Sequence, residues 1–399
     1  MLMSDPRTPF RLLAPVLGAV LAASACGGGG SSQTLPTIAP TTAIPASTTT
    51  VASTTTVVEV PTTEAVSVDT VPATTVPATT TLGVATTTTI NGWTGAVHPL
   101  TGLPATDGTS GRPALVVKVG NNDSRSLPHV GLEAADVVYE AHIENGVTRF
   151  LAVYHSEVPL RVGPVRSARS SDIDLIGNLD RPTFAYWGSN EGVGNEVEAA
   201  VDQGTFVGMT TTGDGQHFFF RAEGRAETPY DGMVDSAAMA VASTGSPPDP
   251  IFAFGPLPAS AIPIRGLRWE APRRIIDWVW SHGAARWARY HQGVPLLDDL
   301  GVQLAADNVL VLFVDYRRSA ADFMSPQALS TGSGDGWLLR DGTATGVTWS
   351  RPFAADRWML TDDDTGAEVF LRPGRTWVAL ARLSEAEILD PDQVAQLTG

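Results

Sequence analysis

Basic side chains gather in the first half of this chain in a pattern that could hold an anion. In VGPVRSARSSDIDL (162–175), Arg166 and Arg169 stand three residues apart after Gly163-Pro164 and lead into an aspartate-rich segment. Arg149 lies on a β-type segment just upstream, and Lys118 and Asn121 close an earlier apolar run. Guanidinium forks match phosphate and carboxylate oxygens bidentately. Placed near a helix start, whose free N–H groups favour negative charge, Arg149, Arg166 and Arg169 suit a phosphorylated or acidic-sugar ligand. The competing reading is structural: the same arginines pair with Glu140, Glu144, Asp172 or Asp174 and hold a turn in place. Spacing does not separate the two.

Chemistry beyond binding needs a base or a metal beside those arginines. Glu140 follows the apolar run DVVY and Asp172 lies about one helical turn after Arg169, so either could act as a general base or a magnesium ligand. His155 is a further acid/base candidate. The chain has no G-x-S-x-G, H-E-x-x-H or Walker loop, and its histidines are scattered without ligand spacing. No metal and no cofactor is therefore expected. The acidic run Asp362, Asp363, Asp364 lacks the spaced ligands of a calcium loop and reads as a polar turn. Between 265 and 291, arginines interleave with Trp269, Trp278, Trp280 and Trp287. Alternation on hairpin arms accounts for this, with tryptophans inward and arginines solvated.

The elements that must position these residues follow from periodicity. ALVVKVG (114–120), ADVVYEAHI (135–143) and TRFLAVYHS (148–156) read as strands, the last two joined by an Asn-Gly hairpin. SSDIDLIGNL (170–179) has helical spacing, with Ser170 or Ser171 as cap, and further helices are expected at 194–204 and 234–243. The Pro-rich stretch 244–250 marks a boundary. Beyond it, 275–293, 308–316, 335–353, 357–374 and 375–381 read as strands and tight turns. The expected fold class is α+β: a mixed α/β domain over 92–245, a β-rich domain over 255–382 built as an antiparallel sheet or barrel, and a short tail or helix over 383–399.

The N-terminus speaks about location. Arg7 and Arg11 precede LLAPVLGAVLAASA (12–25), too short for a membrane span, and Cys26 follows as the one cysteine in the chain. This resembles a bacterial lipobox, so 1–26 is read as a lipoprotein signal peptide with Cys26 as the lipidation site. Residues 27–91 are Thr-, Pro-, Ser- and Val-rich, with VPATTVPATT repeated at 71–80, and read as a disordered tether open to O-glycosylation. The net charge is −16, to which Arg7, Arg11 and Asp5 give +1 and Glu59, Glu64 and Asp69 give −3, leaving −14 for 92–399. So acidic a body argues against nucleic acid as a partner and requires any anion site to be a local basic pocket.

Several segments in order resemble the YerB-like family of bacterial lipoproteins: HPLTGLP (98–104), RPALVVKVGNN (112–122), GLEAADVVYE (131–140), GVTRFLAVYHS (146–156), VGPVRSARSSDIDL (162–175), ARYHQGVPLLD (288–298) and PGRTWVALA (373–381). The resemblance implies an N-terminal domain of unknown function, a β-rich C-terminal domain, and attachment to the outer face of the bacterial cell membrane. Two departures stand out: Lys118-Val119-Gly120-Asn121 where the family has an aspartate, and Thr228-Pro229-Tyr230-Asp231 in place of Pro-His-Asn. A shorter stretch is similar to the LytR-CpsA-Psr envelope enzymes, by analogy only. The reading is an extracytoplasmic, membrane-anchored protein that binds an anionic envelope ligand, a phosphorylated lipid or glycopolymer. The alternatives are an envelope transferase or hydrolase acting on phosphate-linked polymers, or a protein-interaction scaffold.

Overall fold

The computed structural model of the protein describes residues 95–106 and 108–398. The expected signal peptide over 1–26, the lipidation site Cys26 and the tether over 27–91 lie outside them. The β-branched runs become strands as their composition requires: β1 (Leu115–Asn121), β2 (Val137–His142) and β3 (Thr148–Tyr154). β3 lies antiparallel between β2 and β1, and the β2–β3 turn uses Asn145 at φ 64°, the left-handed conformation that Asn tolerates. α1 (Ser170–Leu175), β4 (Thr183–Ala185), α2 (Glu191–Asp202) and β5 (Val207–Met209) then extend the sheet, with β4 parallel to β1 and β5 parallel to β4. A short hairpin of β6 (Phe219–Arg221) and β7 (Gly232–Val234) precedes α3 (Ser236–Ala242).

The second half supplies β8 (Ile262–Pro263), β9 (Gly266–Ala271), β10 (Arg274–Ser281), β11 (Arg286–His291), β12 (Val294–Pro295), β13 (Ala305–Ala306) and β14 (Asn308–Phe313). After these come β15 (Tyr316–Arg318), β16 (Pro326–Ala328), β17 (Gly332–Arg340), β18 (Thr343–Arg351), β19 (Met359–Asp362), β20 (Thr376–Ala381), β21 (Ala386–Ile388) and α4 (Pro391–Thr398). The tryptophan hairpin forms as its alternation implies, β10 against β11. The expectation of an antiparallel sheet or barrel needs correcting at β20, which pairs in parallel with both β14 and β2. Through that seam the two halves of the chain share one open sheet, ordered β19-β18-β17-β14-β20-β2-β3-β1-β4-β5. A second open sheet runs β12-β11-β10-β9-β21.

The central strands of the shared sheet, β1, β2, β3 and β20, are buried on both faces, so alternate residues enter different cores. Val116, Tyr139, Leu151, Leu310 and Leu312 join Leu175, Val193 and Val197 on the side covered by α1 and α2. Val117, Val138, Phe150, Val309 and Val311 join Trp269, Trp278 and Trp287 of the second sheet on the other. Helices, shared sheet and second sheet make three layers. Among the described residues no helix is long and apolar enough to cross a membrane.

Candidate functional site

Strand alternation sorts the basic and acidic candidates before any other interaction does. Lys118 and Arg149 point to the helix side of the sheet, and Asn121 and Glu140 to the side of the second sheet. Lys118 and Asn121 therefore cannot serve one site. Asn121 donates to Thr148 Oγ1 (2.9 Å), and the Thr148 hydroxyl donates to Glu140 Oε1 (2.7 Å). Glu140 also accepts from Trp377 Nε1 and from Arg289, each at 3.0 Å, and the Glu140–Arg289 pair is fully buried. Arg289 lies over the Trp377 and Trp278 rings at 4.5 and 5.0 Å. This corrects the expectation that the arginines of the tryptophan hairpin are solvated, and it leaves Glu140 enclosed, ion-paired and remote from the arginine turn.

On the helix side, Lys118 Nζ meets Asp172 Oδ1 at 2.5 Å, both side chains being buried. Burial drives Lys118 below its usual pKa, opposed by the Asp172 charge. The other oxygen of Asp172 accepts from the Arg169 backbone N–H (2.8 Å) and so caps α1. The N-cap is thus Arg169, closed by the Asp172 side chain, rather than Ser170 or Ser171: the Ser170 hydroxyl contacts Glu196 and Ser319, and Ser171 Oγ accepts from Ala328 N. Arg169 grips Glu144 through Nε (2.9 Å) and a second, shorter contact, and it donates to the Ala168 carbonyl. Arg149 lies 3.8 Å from the same carboxylate and donates to Ser167 O (2.9 Å). Burial, followed by the Arg169 charge, brings Arg149 down to about 9. Burial pushes Glu144 up, but its bonds to Arg169 and the charges of both arginines prevail and hold it at about 2. Two of the three arginines of the expected site therefore already share one carboxylate, Arg169 bonding it directly and Arg149 standing 3.8 Å away.

His155 is buried at the opposite end of β3 from Arg149, about 20 Å along the strand, so it does not adjoin the arginine turn. Its backbone N–H donates to Asp136 (2.7 Å), its ring meets that of His98 edge-on at 5.9 Å, and burial lowers it to about 4.

Arg166 differs from its neighbours. Its backbone N–H donates to Lys118 O (2.8 Å), and its carbonyl accepts from Trp187 N (3.0 Å), which lays an extended link beside β1. From that link the side chain reaches away from α1 into a recess of 310 Å³ shared with Trp187, Arg221, Thr228 and Pro229. Among the described residues no carboxylate pairs with it. Its guanidinium contacts Pro229 O at 3.4 Å and the Tyr230 ring at 5.2 Å, while Arg125 lies 4.4 Å over the same ring. Arg221 stands 4.9 Å over the Trp187 ring and bonds Thr228 Oγ1 (2.7 Å) and Asp231 (2.6 Å). Two glycines keep the recess open: a Cβ on Gly120 would come within 2.5 Å of Arg166 Cγ, and one on Gly232 within 2.6 Å of the Trp187 ring. Sequence reading missed Trp187 and Tyr230, which lie in irregular segments, and Arg221, which ends a three-residue strand too short to show a periodic pattern. The available signal was Arg221 closing the aromatic run FFFR.

Residues 100–246 match the model of the N-terminal domain of a protein of unknown function, DUF3048, and residues 267–378 match that of its C-terminal domain. Over 103 residues the chain is 39% identical to YerB of Bacillus subtilis strain 168, a protein provisionally named a lipoprotein. That match spans 26% of this chain and 30% of the relative. The crystal structure of YerB protein from Bacillus subtilis is similar with a TM-score of 0.64 at 24% identity, over 74% of this chain and 100% of that one. The likeness is one of fold.

Proposed function

The chain belongs to the YerB-like DUF3048 family, and from that premise we propose that it is an extracytoplasmic lipoprotein that binds an anionic envelope ligand in the Arg166–Arg221 recess. Lipidation at Cys26 would hold it on the outer face of the cell membrane, and residues 27–91 would let the folded body reach ligands away from that surface. The observation that carries the reading is Arg166: a half-buried guanidinium, unpaired by any described carboxylate, beside a second arginine on a tryptophan floor. Burial lowers its pKa, so an anion arriving there replaces lost solvation at a site already partly dry. A phosphate or uronate would bond Arg166, with Arg221, already held by Asp231, completing the wall of the recess, and the sugar to which it is attached would stack on Trp187. A volume near 300 Å³ suits a single charged sugar unit of a longer glycopolymer.

The test is native mass spectrometry of the full chain recovered from the bacterial envelope, beside Arg166→Ala/Arg221→Ala prepared in the same way. An acidic species carried by the wild type and absent from the double variant is the expected result. Equal adducts on both proteins, or none on either, would refute the site.

A further inference from the structure

A larger recess, of 530 Å³, opens elsewhere, between the loop that follows β1 and the β11–β12 edge of the second sheet. Its walls are aliphatic: Leu127, Pro128, Leu296 and the side chains of Val294 and Leu297, which remain 61% and 43% exposed. Concave apolar surface of this size is seldom left to water, because covering it is worth more than wetting it. No Phe, Tyr or Trp lines the cavity, and its one ring is the imidazole of His291, so the apolar wall favours a flexible aliphatic ligand over a flat one.

The polar lining sets the sign of what binds. Asp123 is committed to Arg125 and to the Tyr230 hydroxyl (2.7 and 2.9 Å). His291 is neutral, since burial and the charges of Arg289 and Arg274 bring it down to about 3, and its Nε2 is buried without a hydrogen-bond partner. Arg274 is thus the one lining cation, and among the described residues it has no carboxylate partner. It bonds the backbone carbonyls of Asn122 and Arg273, and its Nε is likewise buried without a partner. The charges of Asp123 and Glu140 reach Arg274 without closing an ion pair, so in a chain of net charge −16 this apolar cavity keeps one guanidinium able to take up a small anion with a hydrophobic tail.

We propose that this recess binds a straight-chain aliphatic carboxylate, its chain along Leu127, Pro128, Val294 and Leu297 and its carboxylate on Arg274. A single guanidinium without a second cation suits a monoanion rather than a phosphate dianion. The site is separate from the Arg166–Arg221 recess and does not depend on it.

Isothermal titration of the full chain, carrying Cys26→Ser to prevent acylation, with octanoate, decanoate and dodecanoate tests the proposal. Affinity should rise about fourfold per added methylene. Dodecanoate should bind about tenfold more tightly than dodecanol, and Arg274→Gln should erase that preference. Val294→Glu, at a rim position 61% exposed, should abolish dodecanoate binding with an unchanged thermal midpoint, whereas Arg166→Ala/Arg221→Ala should leave that binding unchanged. A response independent of chain length, dodecanol binding as well as dodecanoate, or undiminished binding to Val294→Glu each overturns the assignment.

Discussion

Arg169 and Arg166 sit three residues apart on one turn, yet one ends in an ion pair and the other at an open recess. Arg169, together with Arg149, closes on Glu144, while Lys118 closes on Asp172 beneath them. Arg166 meets the Pro229 carbonyl and the Tyr230 side chain and forms no ion pair with a described carboxylate. The difference teaches that arginine content near a turn does not make an anion site. What decides is whether a carboxylate already stands within reach, because a paired guanidinium must lose one partner before it gains another.

Each side of this contrast can be broken separately. The largest effect is expected for Asp172→Asn, which strands Lys118 as a buried charge and weakens the α1 cap. A loss of about 3 to 5 kcal/mol, seen as a fall of roughly 10 °C in thermal midpoint, should follow. Lys118→Met/Asp172→Leu should recover much of it, because replacing both charges leaves neither unpaired. Next, Arg166→Ala/Arg221→Ala should weaken binding of an acidic sugar about a hundredfold while stability measured by urea melting changes by less than about 1 kcal/mol. The reverse pattern would place Arg166 on the structural side of the contrast.

Glu144→Gln should cost about 1 to 3 kcal/mol at neutral pH, since Arg149 and Arg169 lose their shared counter-charge. The sign with pH follows from the depressed Glu144 pKa. Its contribution is complete above the ordinary value of 4.5 and is lost as pH falls through about 2, so wild type and variant should converge across that window in acid unfolding. Smallest is Gly232→Ala, whose methyl group must displace Trp187. A shift in indole fluorescence and about fivefold to tenfold weaker binding are expected, with Gly120→Ala acting in the same way through Arg166.

Much of the frame was legible in the sequence. Apolar β-branched runs located β1, β2, β3 and β14, Asn145-Gly146 located their hairpin, and tryptophan alternation located β10 and β11. Period-two alternation also contained, unused, the fact that Lys118 and Asn121 face opposite ways. The parallel seam at β20 was not legible, because parallel partners are distant in sequence and 376–381 looks the same whichever strand it joins. The burial of Arg289 was hidden for a related reason: its counter-charge, Glu140, lies 149 residues away on another sheet.

Taken alone, the sequence determined which segments become strands and which family the chain resembles, since these depend on side-chain type and local spacing. Only the tertiary structure decided which arginine is spent and which is free. That choice rests on Glu144, Asp172 and Tyr230 being carried to within a few ångströms of particular guanidinium groups, and charge interactions in a partly dry interior fall off too steeply with distance for spacing along the chain to stand in for them.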